Sequence, residues 1–126
     1  MSLSEQTGGR AKHRHAIERV AVLGAGVMGA QIAALAANAG LEVDLLDLPE
    51  AGDPLRRARA GIEGLAGTRP PALYTAELAG SIHPGSLEDA AEALGRADWV
   101  IEAIVEELGA KRQLLDHLIP QIAAHT

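Results

Sequence analysis

This sequence predicts a parallel β-sheet with helices wound on both faces, and three consecutive stretches carry the prediction. Arg19-Val-Ala-Val-Leu23 is a short apolar, β-branched run that ends at a glycine, as a buried strand does. Val27 to Ala39 is proline-free and rich in helix formers, and Asn38-Ala-Gly40 supplies its stop. Leu41-Glu-Val-Asp-Leu-Leu-Asp47 then reads as a second strand, closed by Leu48-Pro49. Strand, helix and strand at this spacing make a βαβ unit with parallel strands and a right-handed crossover.

The remaining elements follow in order. Asp53-Pro54 opens a helix through Gly64, with Asp53 as its N-cap and Pro54 at its first position. Its arginines, Arg56, Arg57 and Arg59, read as a solvated basic face or as a contact to an anionic substrate such as a coenzyme A phosphate. Thr68-Arg-Pro-Pro-Ala-Leu-Tyr74 breaks helix and strand alike and is expected to be a surface connection. Thr75 to Leu78 looks like one helical turn, and Ser81 to His83 like a short strand ended by Pro84-Gly85. His83 reads as a strand-end residue with no carboxylate placed near it by the sequence. Ser86-Leu-Glu-Asp89 has the capping-box pattern and opens a helix to Leu94, with Gly95 beyond its end. Ala97 to Val105 is the fourth strand, and Glu106 to Ile119 a helix with acidic residues in its first turn.

Composition bounds what such a chain does. A length of 126 residues is one domain's worth: residues 1–16 are expected to be a disordered tail and 17–126 a single domain around one modest core. With 48% hydrophobic and 22% charged residues, the chain has the balance of an ordinary globular protein. Tyr74 and Trp99 are its aromatic residues and it has no phenylalanine, so the core falls to Ala, Leu, Ile and Val in thin, closely packed layers. Zero cysteines exclude disulfides, thiolate metal sites and cysteine nucleophiles, and no metal site is expected. A net charge of −6 argues against a general nucleic-acid surface. No run approaches the roughly 20 apolar residues of a membrane span and the start has no signal-peptide core, so no membrane contact is expected and the cytoplasm is the default setting. The basic patch Arg10, Lys12 and Arg14, with His13 and His15, reads as a solvated leader.

The chemistry sits in Gly24-Ala-Gly-Val-Met-Gly29. Glycine inside a strand or helix costs roughly 0.5–1 kcal/mol, so three of them between two elements point to a need for bare backbone. At a strand-to-helix junction the three serve different ends. Gly24 allows the tight turn, Gly26 lets a pyrophosphate approach the backbone, and Gly29 lets the helix lie close on the sheet. The helix N-terminus then offers free N–H groups and the positive end of its dipole. Asp47 follows Gly29 by eighteen residues at the end of the second strand, where a carboxylate can accept both ribose hydroxyls. It would repel a 2′-phosphate, and Leu48, Pro49 and Glu50 come next with no arginine among them, so NAD is favoured over NADP. The expected fold is therefore a Rossmann-type sheet of order 3-2-1-4. Its fourth strand lies beside the first and faces the glycine loop across the crevice. That placement leaves two readings of Glu106 and Lys111: groups at the cofactor edge, or a helix-dipole partner and a surface charge.

Gly24 to Gly29 with Ala30-Gln-Ile-Ala, Asp47, and above all Ala97-Asp-Trp-Val-Ile-Glu-Ala-Ile-Val-Glu106 followed by Lys111 resemble the NAD-binding domain of 3-hydroxyacyl-CoA dehydrogenases. Leu73-Tyr-Thr, Leu78-Ala, Ile82 and Pro84-Gly85 through Glu88-Asp89 are similar to the bacterial long-chain form, fused to an enoyl-CoA hydratase-like region. The likeness spans Arg19 to Thr126. Dehydrogenases of the 3-hydroxyisobutyrate type share the Gly-x-Gly-x-Met-Gly loop but not the Glu-Ala-Ile-Val-Glu element. They are the alternative reading, with a non-catalytic NAD-sensing domain as a third.

The resemblance implies oxidation of a 3-hydroxyacyl-CoA to the 3-ketoacyl-CoA with hydride passing to NAD in fatty-acid β-oxidation. Gly24, Ala25, Gly26, Val27, Met28 and Gly29 would hold the pyrophosphate, Asp47 the adenosine ribose, and Glu106 with Lys111 the nicotinamide side. In the family a glutamate-held histidine is the base, with a serine and an asparagine nearby. All of these fall C-terminal to Thr126, so His117 and His125 are not their counterparts and this chain alone is expected to be inactive. The family's coenzyme A contacts find no match around Leu65 to Ala72, which leaves Arg56, Arg57 and Arg59 as substitutes. The sheet would be cut short after its fourth strand and helix. Strand four is then an open edge, and self-association through Trp99 to Ile104 is expected.

Overall fold

The computed structural model describes residues 16–105 and 107–126, so the expectation of a disordered tail falls on residues outside the described ones apart from Ala16. Four parallel strands are arranged β3-β2-β1-β4, as the sequence predicts. In chain order they are β1 (Arg19–Leu23), β2 (Glu42–Asp47), β3 (Ile82–Ser86) and β4 (Trp99–Glu102). The helices are α1 (Val27–Asn38), α2 (Arg56–Gly64), α3 (Ala91–Arg96) and α4 (Leu108–Leu118).

Strand periodicity sends alternate residues to opposite faces, and each face buries its own cluster. On one face, Val20, Val22, Val43 and Leu45 pack under Ala30, Ala33, Ala34 and Ala37 of α1, with Leu65 at the end of α2. On the other, Ala21, Leu23 and Leu46 meet Leu94 of α3 and Leu118 of α4. Among the described residues the buried apolar side chains are Ala, Val, Leu and Ile alone. The alanine seam of α1 is what lets a helix lie close against a sheet that has no large side chains to spare. At its C-terminus the helix stops in a Schellman arrangement: Gly40 N–H donates to Ala37 O at 3.0 Å and Leu41 N–H to Ala36 O at 3.1 Å.

β4 is shorter than the expected Ala97 to Val105, α4 covers Leu108–Leu118 and not Glu106 to Ile119, and the turn expected over Thr75 to Leu78 is a 3₁₀ helix over Ala76–Ser81. Three further boundaries differ from expectation, each for a local reason. α2 starts at Arg56 with Leu55 as N-cap, because Asp53 accepts the Leu55 N–H at 3.2 Å in a turn that precedes the helix and also pairs with Arg59. β3 runs through Pro84 and Gly85 to Ser86 instead of ending at His83; it is the outer strand of the sheet, where a proline's missing N–H costs no ladder bond. Ser86 does accept the Glu88 N–H at 3.1 Å, but it caps a 3₁₀ turn over Leu87–Asp89, and α3 begins separately at Ala91 and includes Gly95. His83 also acquires a carboxylate that the sequence does not announce. Its Nε2 lies 2.7 Å from Oε1 of Glu42 on the neighbouring strand.

Among the described residues two polar ones are buried in this apolar frame, Ser86 and Asp44. Asp44 is 3% exposed, and alternation along β2 turns it to the α3 face. Arg19 donates to its Oδ2 at 3.0 Å and Arg96 to its Oδ1 at 2.8 Å. Burial alone would raise the pKa of this carboxyl, but the hydrogen bonds from Arg96 and Arg19 and their charges outweigh it and hold the group below its usual range. A depressed folded-state pKa stabilises the fold above the unfolded value of about 4, and the contribution is lost as pH falls through the lower folded value. Asp44→Asn is therefore expected to lower unfolding stability by about 1–3 kcal/mol at pH 7. In urea titrations across pH, the gap between variant and parent should close in the acid range; a gap that does not change with pH contradicts the assignment.

Candidate functional site

The candidate site is built at the C-terminal end of the sheet, where β1 hands over to α1. Gly24 turns the chain there with a φ of +105°, a conformation side chains rarely adopt, and its N–H donates to Leu46 O at 2.7 Å. A Cβ at Gly24 would also sit 2.7 Å from the Ala103 carbonyl oxygen just after β4. One at Gly29 would overlap the Gly24 carbonyl oxygen, so the first turn of α1 is seated on the loop itself as well as on the sheet. Gly26 is different in kind, because a Cβ there meets nothing within 4 Å. That glycine leaves open space and does not relieve a contact.

Gly26 is the N-cap of α1 in an extended conformation, and no side chain among the described residues caps the helix. The uncapped turn opens into a cleft of ≈ 460 Å³ lined by Ala25, Gly26, Val27 and Asp47, with α2 forming the opposite wall. Its size suits a small-molecule site, and the helix N-terminus at one end of it favours an anion. Asp47 closes the far side. Its Oδ2 accepts the Ala25 N–H at 2.7 Å and its Oδ1 the Leu48 N–H at 2.6 Å. Each oxygen keeps a second acceptor site, so the carboxylate can both tie the loop to β2 and accept hydroxyls. A dinucleotide fits this donor set: bare amides for a diphosphate, a carboxylate for a sugar, an apolar wall for a base.

Not every expected residue reaches the cleft. Ala25, Gly26, Val27 and Asp47 line it, whereas Gly24 and Gly29 are buried supports beneath it and Met28 is exposed without being part of its lining. Glu106 lies outside the described residues. Lys111 stands across the loop on α4, where its Nζ is 3.3 Å from Oε2 of Glu102. That same oxygen accepts the Ile104 N–H at 2.6 Å, so Glu102 pins the end of β4 and the lysine together. The helix that carries Lys111 is capped by Glu107, whose Oε1 accepts the Ala110 N–H at 2.7 Å.

Sequence reasoning misses three contributors. Gly61 lets α2 approach the loop, since a Cβ there would sit 2.6 Å from the Ala25 carbonyl oxygen. A glycine in the middle of a helical run is the available signal. Glu102 reads only as part of a strand, and nothing in a strand pattern announces a pair to a residue nine positions on. Glu50 is the third: Arg56 and Arg57 lie 3.5 Å and 3.3 Å from its two carboxylate oxygens, and all three residues line the cleft. Arg56 and Arg57 are thus neither a free basic face nor remote from Asp47, which lines the same cleft.

A family model described as "3-hydroxyacyl-CoA dehydrogenase, NAD binding domain" matches residues 19–126. Among curated relatives, a Deinococcus radiodurans protein named as a probable 3-hydroxyacyl-CoA dehydrogenase is 49% identical over 100 residues, covering 78% of this chain and 29% of its own length. A Rickettsia felis protein, named as a candidate trifunctional enzyme of a fatty acid oxidation complex, is 40% identical over 108 residues, 84% of this chain and 15% of that protein. The crystal structure of 3-hydroxybutyryl-CoA dehydrogenase from Escherichia coli K12 is similar with a TM-score of 0.66 and 32% identity, over 89% of this chain and 24% of that one. The chain thus spans less than a third of the length of each of these proteins.

The two kinds of glycine should behave oppositely. Gly29→Ala forces backbone apart and is expected to cost at least about 2 kcal/mol in thermal or denaturant unfolding. Gly26→Ala should leave unfolding within about 0.5 kcal/mol of the parent. Equal losses for both would mean that the helix is not seated as described.

Proposed function

The chain belongs to the family of 3-hydroxyacyl-CoA dehydrogenase NAD-binding domains, and on that premise we propose that residues 17–126 are the cofactor-binding part of a longer enzyme. That enzyme oxidises 3-hydroxyacyl-CoA to 3-ketoacyl-CoA in fatty-acid β-oxidation. The observation that carries the reading is the uncapped α1 N-terminus at Gly26, open to a cleft that Asp47 shares.

Bound NAD supplies a hydride acceptor for C3 of the hydroxyacyl group. This chain's residues bind and orient. Backbone amides of Gly26 to Gly29 hold the diphosphate at the positive end of the helix dipole, with Gly24 setting the turn and Ala25 tied to Asp47. Asp47 takes the adenosine ribose on the acceptor sites its two backbone bonds leave free. Lys111, with Glu106, serves the nicotinamide half, and Glu102 holds the Lys111 ammonium toward the β4 end. The base that removes the hydroxyl proton belongs to another part of the enzyme. The acyl-CoA substrate and a multifunctional setting are supported by the fatty-acid-oxidation names of the relatives. A cytoplasmic setting accords with a chain free of cysteine, and no helix among the described residues is long and apolar enough to cross a membrane.

Self-association is part of this reading. β4 pairs with β1 on one side, and Trp99 on it is 51% exposed. A strand with one side unpaired is a template for a second strand.

Calorimetric titration of this chain should show binding of NAD in preference to NADP and FAD. Gly26→Val, which fills the open space at the helix N-terminus, should weaken NAD by at least about tenfold with unfolding temperature unchanged; undiminished affinity would remove the loop from the site. Light scattering at high concentration should report an oligomer, and a clean monomer there would count against pairing through Trp99 to Ile104.

A further inference from the structure

The order of residues after Asp47 keeps arginines away from the sugar end of the cleft, but the fold returns them to it. Glu50 and Asp53 close a short antiparallel bridge, and α2 then brings Arg56 and Arg57 back to the wall that faces Gly26 and Asp47. Glu50 engages both: its Oε1 is 3.5 Å from Arg56 Nε and its Oε2 accepts from Arg57 Nε at 3.3 Å. Arg59 is paired separately with Asp53. The sugar end of the cleft therefore holds two carboxylates and two guanidinium groups with no net charge.

We propose that Glu50 is a specificity-determining residue, which excludes a 2′-phosphorylated dinucleotide by occupying the two arginines that would otherwise receive it. Two guanidinium groups at the ribose end are the usual means of accepting a 2′-phosphate, through charge-assisted and often bidentate hydrogen bonds. Here that pair is present but committed to a carboxylate in the same cleft, and an incoming phosphate meets Glu50 as well as Asp47. Asp47 also repels a 2′-phosphate, but it is held by two backbone N–H groups and engages neither arginine, so the latent phosphate site is left to Glu50. Discrimination is thus shared between one carboxylate that binds the sugar and one that masks a latent phosphate site. Glu50, Arg56 and Arg57 are all solvent-exposed, so the pairing is of the kind that a substitution releases without disturbing the core.

The inference rests on the reading of the cleft as a dinucleotide site, and calorimetry can separate the two. NAD and NADP are titrated into the parent chain, Glu50→Gln, and the triple variant Glu50→Gln/Arg56→Gln/Arg57→Gln. AMP and adenosine 2′,5′-bisphosphate serve as a smaller pair differing in the 2′-phosphate. Glu50→Gln should move the NADP-to-NAD affinity ratio toward NADP by about tenfold, the smaller pair should follow, and the triple variant should lose the gain. Glu50→Ser, read with unfolding temperature, should act in the same direction. An unchanged ratio in both Glu50 variants with NAD still bound overturns the role of Glu50 alone. A parent chain that binds neither dinucleotide overturns the cleft reading and this inference with it.

Discussion

The first turn of α1 sits directly on the Gly24 carbonyl, and this contact sets the position of everything around it. No atom beyond a hydrogen fits at Gly29, so the helix axis is fixed against the turn and the amides of that turn are aimed outward into the cleft. The same turn touches the end of β4 through Ala103 and is bonded to β2 through Leu46 O. Three strands and a helix are thereby indexed to one short piece of backbone. The alanine seam of α1 is the continuation of this constraint along the helix, because a helix held so low at its start cannot ride over larger side chains further on.

Around that seat the charged groups are arranged in local pairs. Asp47 binds the loop through Ala25, Glu50 binds α2 through Arg56 and Arg57, and Glu102 binds α4 through Lys111. Each carboxylate follows or ends a strand at the C-terminal edge of the sheet, and each ties a different flanking segment to it. The opposite edge of the sheet has its own set, in which Asp44 joins Arg19 to Arg96 and Asp98 accepts the N–H groups of Glu18 and Arg19. In the first set Asp47 and Glu50 border the cleft at the α1 N-terminus, and members of the second line cavities of their own, Arg19, Arg96 and Asp98 one and Asp44 with Arg96 another.

The cleft also shows how far charged groups can be placed from sequence. Asp47 is legible as a carboxylate at the mouth of the glycine loop because a strand end places it. Arg56 and Arg57 are legible as charges but not as neighbours of Asp47, since the turn from Glu50 to Asp53 reverses the chain in a way no periodicity reports. Local spacing predicts which element a side chain rides on. It does not predict which other element that side chain meets.

The α/β class, the order 3-2-1-4, the all-aliphatic core and the loop from Gly24 to Gly29 are all written in the amino-acid order, because they follow from periodicity, composition and the steric freedom of glycine. The same information locates Asp47, but it misplaces the start of α2 and the end of β3, where Asp53 turns into its own backbone and an edge strand tolerates Pro84. Folding in three dimensions was needed to establish that Gly26 opens on space while Gly29 has none, and that Asp44 is buried between Arg19 and Arg96. It also established that Glu42 meets His83, that Glu50 holds Arg56 and Arg57 at the cleft wall, and that Glu102 holds Lys111. The difference is one of range. Strand, helix and turn preferences act over a few residues, whereas ion pairs and close contacts form between segments that only the crossovers bring together.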